Sequence, residues 1–240
     1  MKLNNKVAVV TGASRGIGKS IALALAQEGV NLALLARNEK DLASTAFACE
    51  QYGVTAKYYP IDLIEMNLIP ELIDKIKKDF KWVDILINDA GHYTDSDPFN
   101  DDLSEWDYTL DLNFKAPYHL TNALLKILRP EQETAVINIS SISGLTITGG
   151  GEIYNASKAA LKSFGGCLFE SVREKGIKVT NIYPGYVNSS MTSENKLDHS
   201  KMIQPQDVAS AVVWALGMPA NACPTDITIR PQFSPSKKAA

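Results

Sequence analysis

Short apolar runs alternate along the whole chain with longer stretches in which apolar residues recur at helical spacing. The first run, Val7–Val10, is rich in β-branched residues and leads through a glycine-rich turn into Lys19–Glu28. There Ile21 and Leu25 share one helical face, and Gly29 supplies the stop. The same pattern predicts a strand over Asn31–Ala36, a helix over Glu39–Glu50, a strand over Thr55–Ile61, and a helix over Leu68–Asp79. Further strands are expected at Val83–Ile87, Ala135–Ser140, Ile177–Tyr183 and Ile227–Ile229, with helices at Ala116–Leu128, Ser157–Glu174 and Gln206–Leu216. This amounts to a β-α unit repeated about six times. The strands are apolar throughout instead of alternating, which is the mark of a parallel sheet covered on both faces by helices. The expected fold class is therefore α/β, a doubly wound parallel sheet of Rossmann type. A single domain would occupy residues 1–230, with 231–240 as a loose tail. A (β/α)8 barrel would need more strands than the pattern supplies.

Two segments break the rhythm. Asp95–Asp102 is dense in aspartate and reads as a solvated loop. Asn188–Gln204 is polar, follows a strand and lacks a core pattern, so it reads either as a lid over a site or as a plain connection.

Composition narrows the function classes. Hydrophobic residues make up 45% of the 240 and charged ones 21%, which excludes a mainly disordered chain. The net charge of −3 gives no overall pull toward nucleic acid or anionic lipid, so neither is an expected partner. No apolar run approaches the ~20 residues of a membrane span, and the first residues lack a signal-peptide core. Cys49, Cys167 and Cys223 form no close pair and read as reduced thiols of a cytoplasmic protein.

The turn Thr11–Gly18 joins the first strand to the first helix and contains Gly12, Ser14, Arg15, Gly16, Ile17 and Gly18. Backbone N–H groups at such a turn, with the positive end of the helix behind them, suit a phosphate. The same residues satisfy G-x-S-x-G, the serine-hydrolase elbow, with Ser14 as nucleophile. That rival needs a downstream acid and histidine; the histidines are His92, His119 and His199, and Asp198-His199 falls in the polar Asn188–Gln204 segment. The second strand ends at Ala36-Arg37, about 20 residues on, where an acidic residue would bond the ribose 2′-hydroxyl of NAD. Arginine there, with Arg15 in the turn, favours a 2′-phosphate and therefore NADP(H).

Tyr154 and Lys158 lie one turn apart on the long helix, after the polar approach Ser140-Ser141-Ile142-Ser143-Gly144 at a strand's carboxyl end. With Thr11–Gly18, Asp62-Leu63, Asn88–Gly91, Asn113 and Pro184-Gly185 in this order and spacing, the chain resembles a single-domain short-chain dehydrogenase/reductase.

The resemblance implies an NADP(H)-dependent reductase acting on a carbonyl or secondary alcohol. Its catalytic residues would be Asn113, Ser141, Tyr154 and Lys158. Tyr154 would be general acid, Ser141 would hold the substrate oxygen, Lys158 would bind the nicotinamide ribose, and Asn113 would complete a proton relay. Asp62 would bond the adenine; Leu63, Asn88, Ala90 and Gly91 would line the cofactor, and Pro184, Gly185 and Val187 would shape the nicotinamide pocket. Free tyrosine has a pKa near 10, so reaching 7 requires a shift of about three units, roughly 4 kcal/mol. Lys158 and the oxidised nicotinamide are the charges expected to supply it.

The resemblance also implies a homodimer or homotetramer through Ala116–Leu128 and Ser157–Glu174. Asp89 departs from the family's usual asparagine, a change expected to bear on the sheet more than on catalysis. The residues leave 3-oxoacyl thioesters, sugars, steroids and xenobiotic ketones open as substrates, with Tyr93, Glu152, Ile153 and Tyr186 expected at the pocket. A cofactor-binding protein without turnover is the remaining alternative.

Overall fold

A computed structural model describes residues 1–95, 99, 103–129, 133–147, 149–192 and 197–236. Among the described residues there are seven strands: β1 (Val7–Thr11), β2 (Asn31–Ala36), β3 (Ala56–Pro60), β4 (Ile85–Asn88), β5 (Thr134–Ile139), β6 (Ile177–Pro184) and β7 (Asp226–Ile229). They form one parallel sheet in the order β3-β2-β1-β4-β5-β6-β7. The helices are α1 (Gly16–Gln27), α2 (Glu39–Glu50), α3 (Ile69–Phe80), α4 (Ser104–Leu110), α5 (Ala116–Leu124), α6 (Glu152–Val172) and α7 (Pro205–Gly217).

Alternate residues of each strand feed two cores. Ala8, Val10, Leu32, Leu34, Ile85 and Ile137 pack against α1, α2 and α7 through Ile21, Leu25, Leu42 and Val212. Val9, Ala33, Leu35, Leu86 and Val136 point to the other face and meet Leu72, Ile76, Leu120 and Leu168 of α3, α5 and α6. Burial on both faces is why the central strands read as continuous apolar runs. The expectation of uniformly buried strands fails only at the sheet's edges, where Lys57 and Tyr58 of β3 and Asp226 and Thr228 of β7 are exposed.

The chain departs from the expected elements in two places that matter. Ser104–Leu110 is helical and runs through a π-helical turn, Asp111–Lys115, into α5. The long helix also begins earlier than expected, at Glu152, so that Tyr154 and Lys158 both sit within it.

The polar Asn188–Gln204 segment is tied down at both described ends. Val187 bridges to Ile203, and the Asn188 amide donates to Gln204 Oε1 at 3.1 Å and pairs with His199 Nδ1 at 2.9 Å. Residues 193–196 lie outside the described residues, as does most of the aspartate-rich Asp95–Asp102 loop. The start of the expected tail runs back along Leu197 and Asp198, whose N–H donates to the Pro235 carbonyl at 2.7 Å. Among the described residues no helix is long and apolar enough to cross a membrane.

Candidate active site

Strand order reverses between β1 and β4, which opens a crevice at their carboxyl ends. The glycine turn leaves β1 into this crevice and Asn88–Gly91 leaves β4 into it. Thr11 Oγ1 ties the two together by accepting the N–H groups of Asp89 at 2.8 Å and Ala90 at 2.9 Å. The approach is tight: a β-carbon on Gly18 would stand 2.5 Å from the Gly12 carbonyl oxygen, so only glycine fits.

The amino end of α1 has features that suit an anion. Its capping residue, Arg15, contributes no side-chain bond, and the first turn carries no acidic residue. The N–H groups there have no acidic neighbour on their own helix. One carboxylate does reach the turn from β4. Asp89 accepts the Gly18 N–H, and its Oδ2 would lie 3.1 Å from a β-carbon on Gly12. The residue keeps some solvent contact, but its carboxylate is enclosed, and burial raises its pKa from 3.8 to about 7 against the lowering effects of Lys158 and the Gly18 N–H. The substituted position therefore faces the glycine turn and Lys158, whereas the sequence suggested an effect on the sheet.

Two residues beyond the end of β5 lies Ser141, whose Oγ accepts the Ser143 N–H at 3.1 Å and hydrogen bonds the Tyr154 phenol. Lys158 follows one turn later on α6, its ammonium donating to the Ile139 carbonyl at 3.2 Å and standing 5.7 Å from the centre of the Tyr154 ring. Burial brings Lys158 down from 10.5 to about 8, offset in part by the Asp89 carboxylate. The same burial raises Tyr154 above 10, opposed by the Ser141 bond and reinforced by Asp89. The expected lowering of this phenol is thus absent from the protein by itself, because desolvation outweighs the Ser141 hydrogen bond. Tyr93 closes the outer side of Tyr154, with ring centres 5.0 Å apart and planes at 74°.

Asn113 sits on the π-helical turn and is fully buried. Its Oδ1 accepts the His92 N–H at 2.8 Å, and its Nδ2 donates to the His92 carbonyl at 2.8 Å and to Ser157 Oγ at 3.0 Å. A β-carbon on Gly91 would lie 3.2 Å from Asn113 Oδ1 and 3.4 Å from Lys158 Nζ, so Asn113 and Lys158 border one spot. The extra turn residue of a π-helix is a common device for aiming a side chain at a site.

Other expected residues fall less uniformly. Asn88 does not offer its side chain to the cleft, since its Nδ2 donates to Thr121 Oγ1 at 3.1 Å and Asn138 Oδ1 at 2.9 Å. Gly185 donates its N–H to Ile229 at 2.8 Å and Val187 is buried, so the Pro184–Val187 turn is held from behind by β7. Tyr186 is exposed. Arg37 is exposed at the end of β2, its Nη1 3.6 Å from Asp62 Oδ2 and donating to Tyr108 Oη at 2.8 Å. Arg15 is exposed at the head of α1, next to the turn.

No histidine bonds Ser14 among the described residues; His199 is engaged by Asn188 and His92 by Glu105, which leaves the hydrolase arrangement without its base. Tyr108, His92 and Ser157 were not among the expected residues. The pattern Ser104-Glu105-Trp106 is an available helix-start signal, but it abuts the aspartate run and reads as loop.

Residues 6–200 match the sequence model of the short chain dehydrogenase family. An uncharacterised oxidoreductase of Staphylococcus saprophyticus is 35% identical over 232 residues, 96% of this chain and 99% of that protein. A second, from Staphylococcus aureus, is 37% identical over 95% of this chain and 98% of its own length. Among solved structures, a Burkholderia cenocepacia short chain dehydrogenase in complex with NADP superposes with a TM-score of 0.89 at 25% identity, covering 96% of this chain and 98% of that one. A metagenomic short-chain oxidoreductase in complex with NADP gives 0.84 at 27% identity, over 98% of this chain and all of that one. With the parallel sheet, the glycine turn and the Ser141, Tyr154 and Lys158 cluster, these matches place the chain in the short-chain dehydrogenase/reductase family of oxidoreductases.

Proposed function

We propose that the chain is an NADP(H)-dependent enzyme that interconverts a carbonyl compound and its alcohol, with Tyr154 as general acid and base. The observation that carries this reading is the convergence of Ser141, Tyr154, Lys158 and Asn113 on the mouth of the β1/β4 crevice. The residues present fit a dinucleotide. Gly12, Ser14, Gly16, Ile17 and Gly18 would face its pyrophosphate, Arg15 and Arg37 its 2′-phosphate, and Asp62 and Leu63 its adenine. Ala90, Gly91 and the main chain of Asn88 would line the ribose, with Pro184, Gly185 and Val187 beside the nicotinamide. When bound, the nicotinamide supplies or accepts the hydride.

The protein's own part is to hold and move the proton. Burial keeps the Tyr154 phenol protonated, which is the state required to donate to a carbonyl oxygen during reduction. Ser141, bonded to the same phenol, is placed to share that oxygen. The Lys158 ammonium favours the phenolate left after transfer, and Asn113 holds the β4 loop and α6 in register beside it. Self-association through α5 and α6 belongs to the same reading; Tyr118 remains exposed there and packs edge-on against Phe164.

NADPH oxidation over a panel of ketones and aldehydes tests the proposal. Tyr154→Phe should lower turnover by about 10²–10⁴-fold while leaving NADPH binding in place. Full activity in that variant would exclude Tyr154 as the acid.

A further inference from the structure

Arg37 is held by a phenol that the sequence did not single out. Its Nη1 donates to Tyr108 Oη at 2.8 Å, and its Cζ stands 5.9 Å from the Tyr108 ring centre. Tyr108 belongs to α4 and is itself braced. Its ring meets His92 edge-on, with centres 5.2 Å apart at 80°, and His92 Nε2 lies 3.1 Å from Glu105 on the same helix. Burial, foremost among the influences on it, raises the phenol's pKa above 10, so its oxygen remains protonated.

That oxygen accepts from Arg37 and still carries a proton of its own to give. Among the described residues no acceptor takes it. The guanidinium spends one N–H on Tyr108 and keeps the rest of its fork available. Asp62, 3.6 Å away, balances the charge but lies on the side of Nη1. An exposed arginine normally loses side-chain freedom on gripping an anion. Here that ordering is already done by a short bond to a braced ring.

We propose that Tyr108 is the specificity-determining partner of Arg37, fixing its guanidinium and donating its own O–H to a ribose 2′-phosphate. The inference rests on the reading that Arg37 faces that phosphate. It adds a residue from α4, so that cofactor choice depends on the segment that also carries Asn113.

Calorimetric titration with adenosine 2′,5′-bisphosphate and adenosine 5′-monophosphate isolates this end of the cleft, because neither probe has a nicotinamide. Tyr108→Phe removes one oxygen and keeps the ring. It should weaken the bisphosphate by about 3- to 10-fold and leave the monophosphate unchanged. Arg37→Ala should weaken the bisphosphate more strongly, again sparing the monophosphate. If Tyr108→Phe weakens both probes equally, or neither, the role assigned to Tyr108 is overturned while that of Arg37 stands. If Arg37→Ala leaves the bisphosphate untouched, the 2′-phosphate reading itself fails.

Discussion

Helix α6 passes so close to β6 that a β-carbon on Gly165 would stand 2.0 Å from Oδ1 of Asn181. Asn181 is one rung of a buried amide ladder across three strands. Asn88 donates to Asn138 at 2.9 Å and Asn138 to Asn181 at 3.0 Å, each pair in direct register. The strands' carboxyl ends, and the loops that carry the site, are fixed by this ladder. Gly165→Ala should therefore cost about 3 kcal/mol, at the upper end for an overpacked core, because the amides cannot move without losing their bonds. Urea unfolding checks it; a loss below about 1 kcal/mol would mean the ladder yields easily.

Asp89 should make the stability of the fold depend on pH near neutrality. Its folded pKa of about 7 lies above the ordinary 3.8. The sign follows from proton binding: the folded state holds this proton more tightly, so the stability it brings is complete below about pH 4 and is lost as pH rises through 7. Asp89→Asn has no such loss. The melting-temperature difference should grow in the variant's favour between pH 5 and pH 8, and a constant difference would remove Asp89 as the cause. The variant also takes away the carboxylate that holds Lys158 up near 8, so the alkaline limb of turnover should move to lower pH.

At the opposite end of the strands, Asp84 is fully buried beneath Arg129, whose Nε and Nη2 reach its two oxygens at 2.7 and 3.0 Å. Lys6 and the Val7 N–H are its other partners. Arg129→Met should destabilise the fold by about 3 kcal/mol, the low end for breaking a buried pair, since those two partners remain. Far from the crevice, it should leave kcat as it is at 25 °C. A fall in kcat without a fall in the unfolding midpoint would contradict this purely structural assignment.

Much of the architecture is legible in the chain because burial on both faces writes itself into composition. Val7–Val10, Asn31–Ala36 and Ala135–Ser140 are apolar runs whose bounds agree with the strands to within a residue or so. The edge strands show why the rule weakens outward: β3, paired on one edge only, leaves the successive residues Lys57 and Tyr58 exposed. Helix α4 escaped notice for a related reason. It is only seven residues long, with Thr109 its one buried residue, and it follows a run of aspartates. So short an amphipathic signal cannot be told from a loop.

What the sequence by itself determined is the order of elements and the residue types the chemistry needs, from Gly12 and Gly18 through Ser141, Tyr154 and Lys158. Local spacing suffices for these, since each motif sits at the end of one strand or on one helix. The tertiary structure alone decided which groups share a field or a bond. Asp89 meets Lys158 and the Gly18 N–H, Tyr108 takes hold of Arg37, and Asn88 turns from the cofactor cleft into the amide ladder. Such pairings join residues far apart in the chain. They are set by how the sheet twists and how closely α6 and α4 are packed against it, and electrostatic effects at these distances depend on burial that no local pattern records.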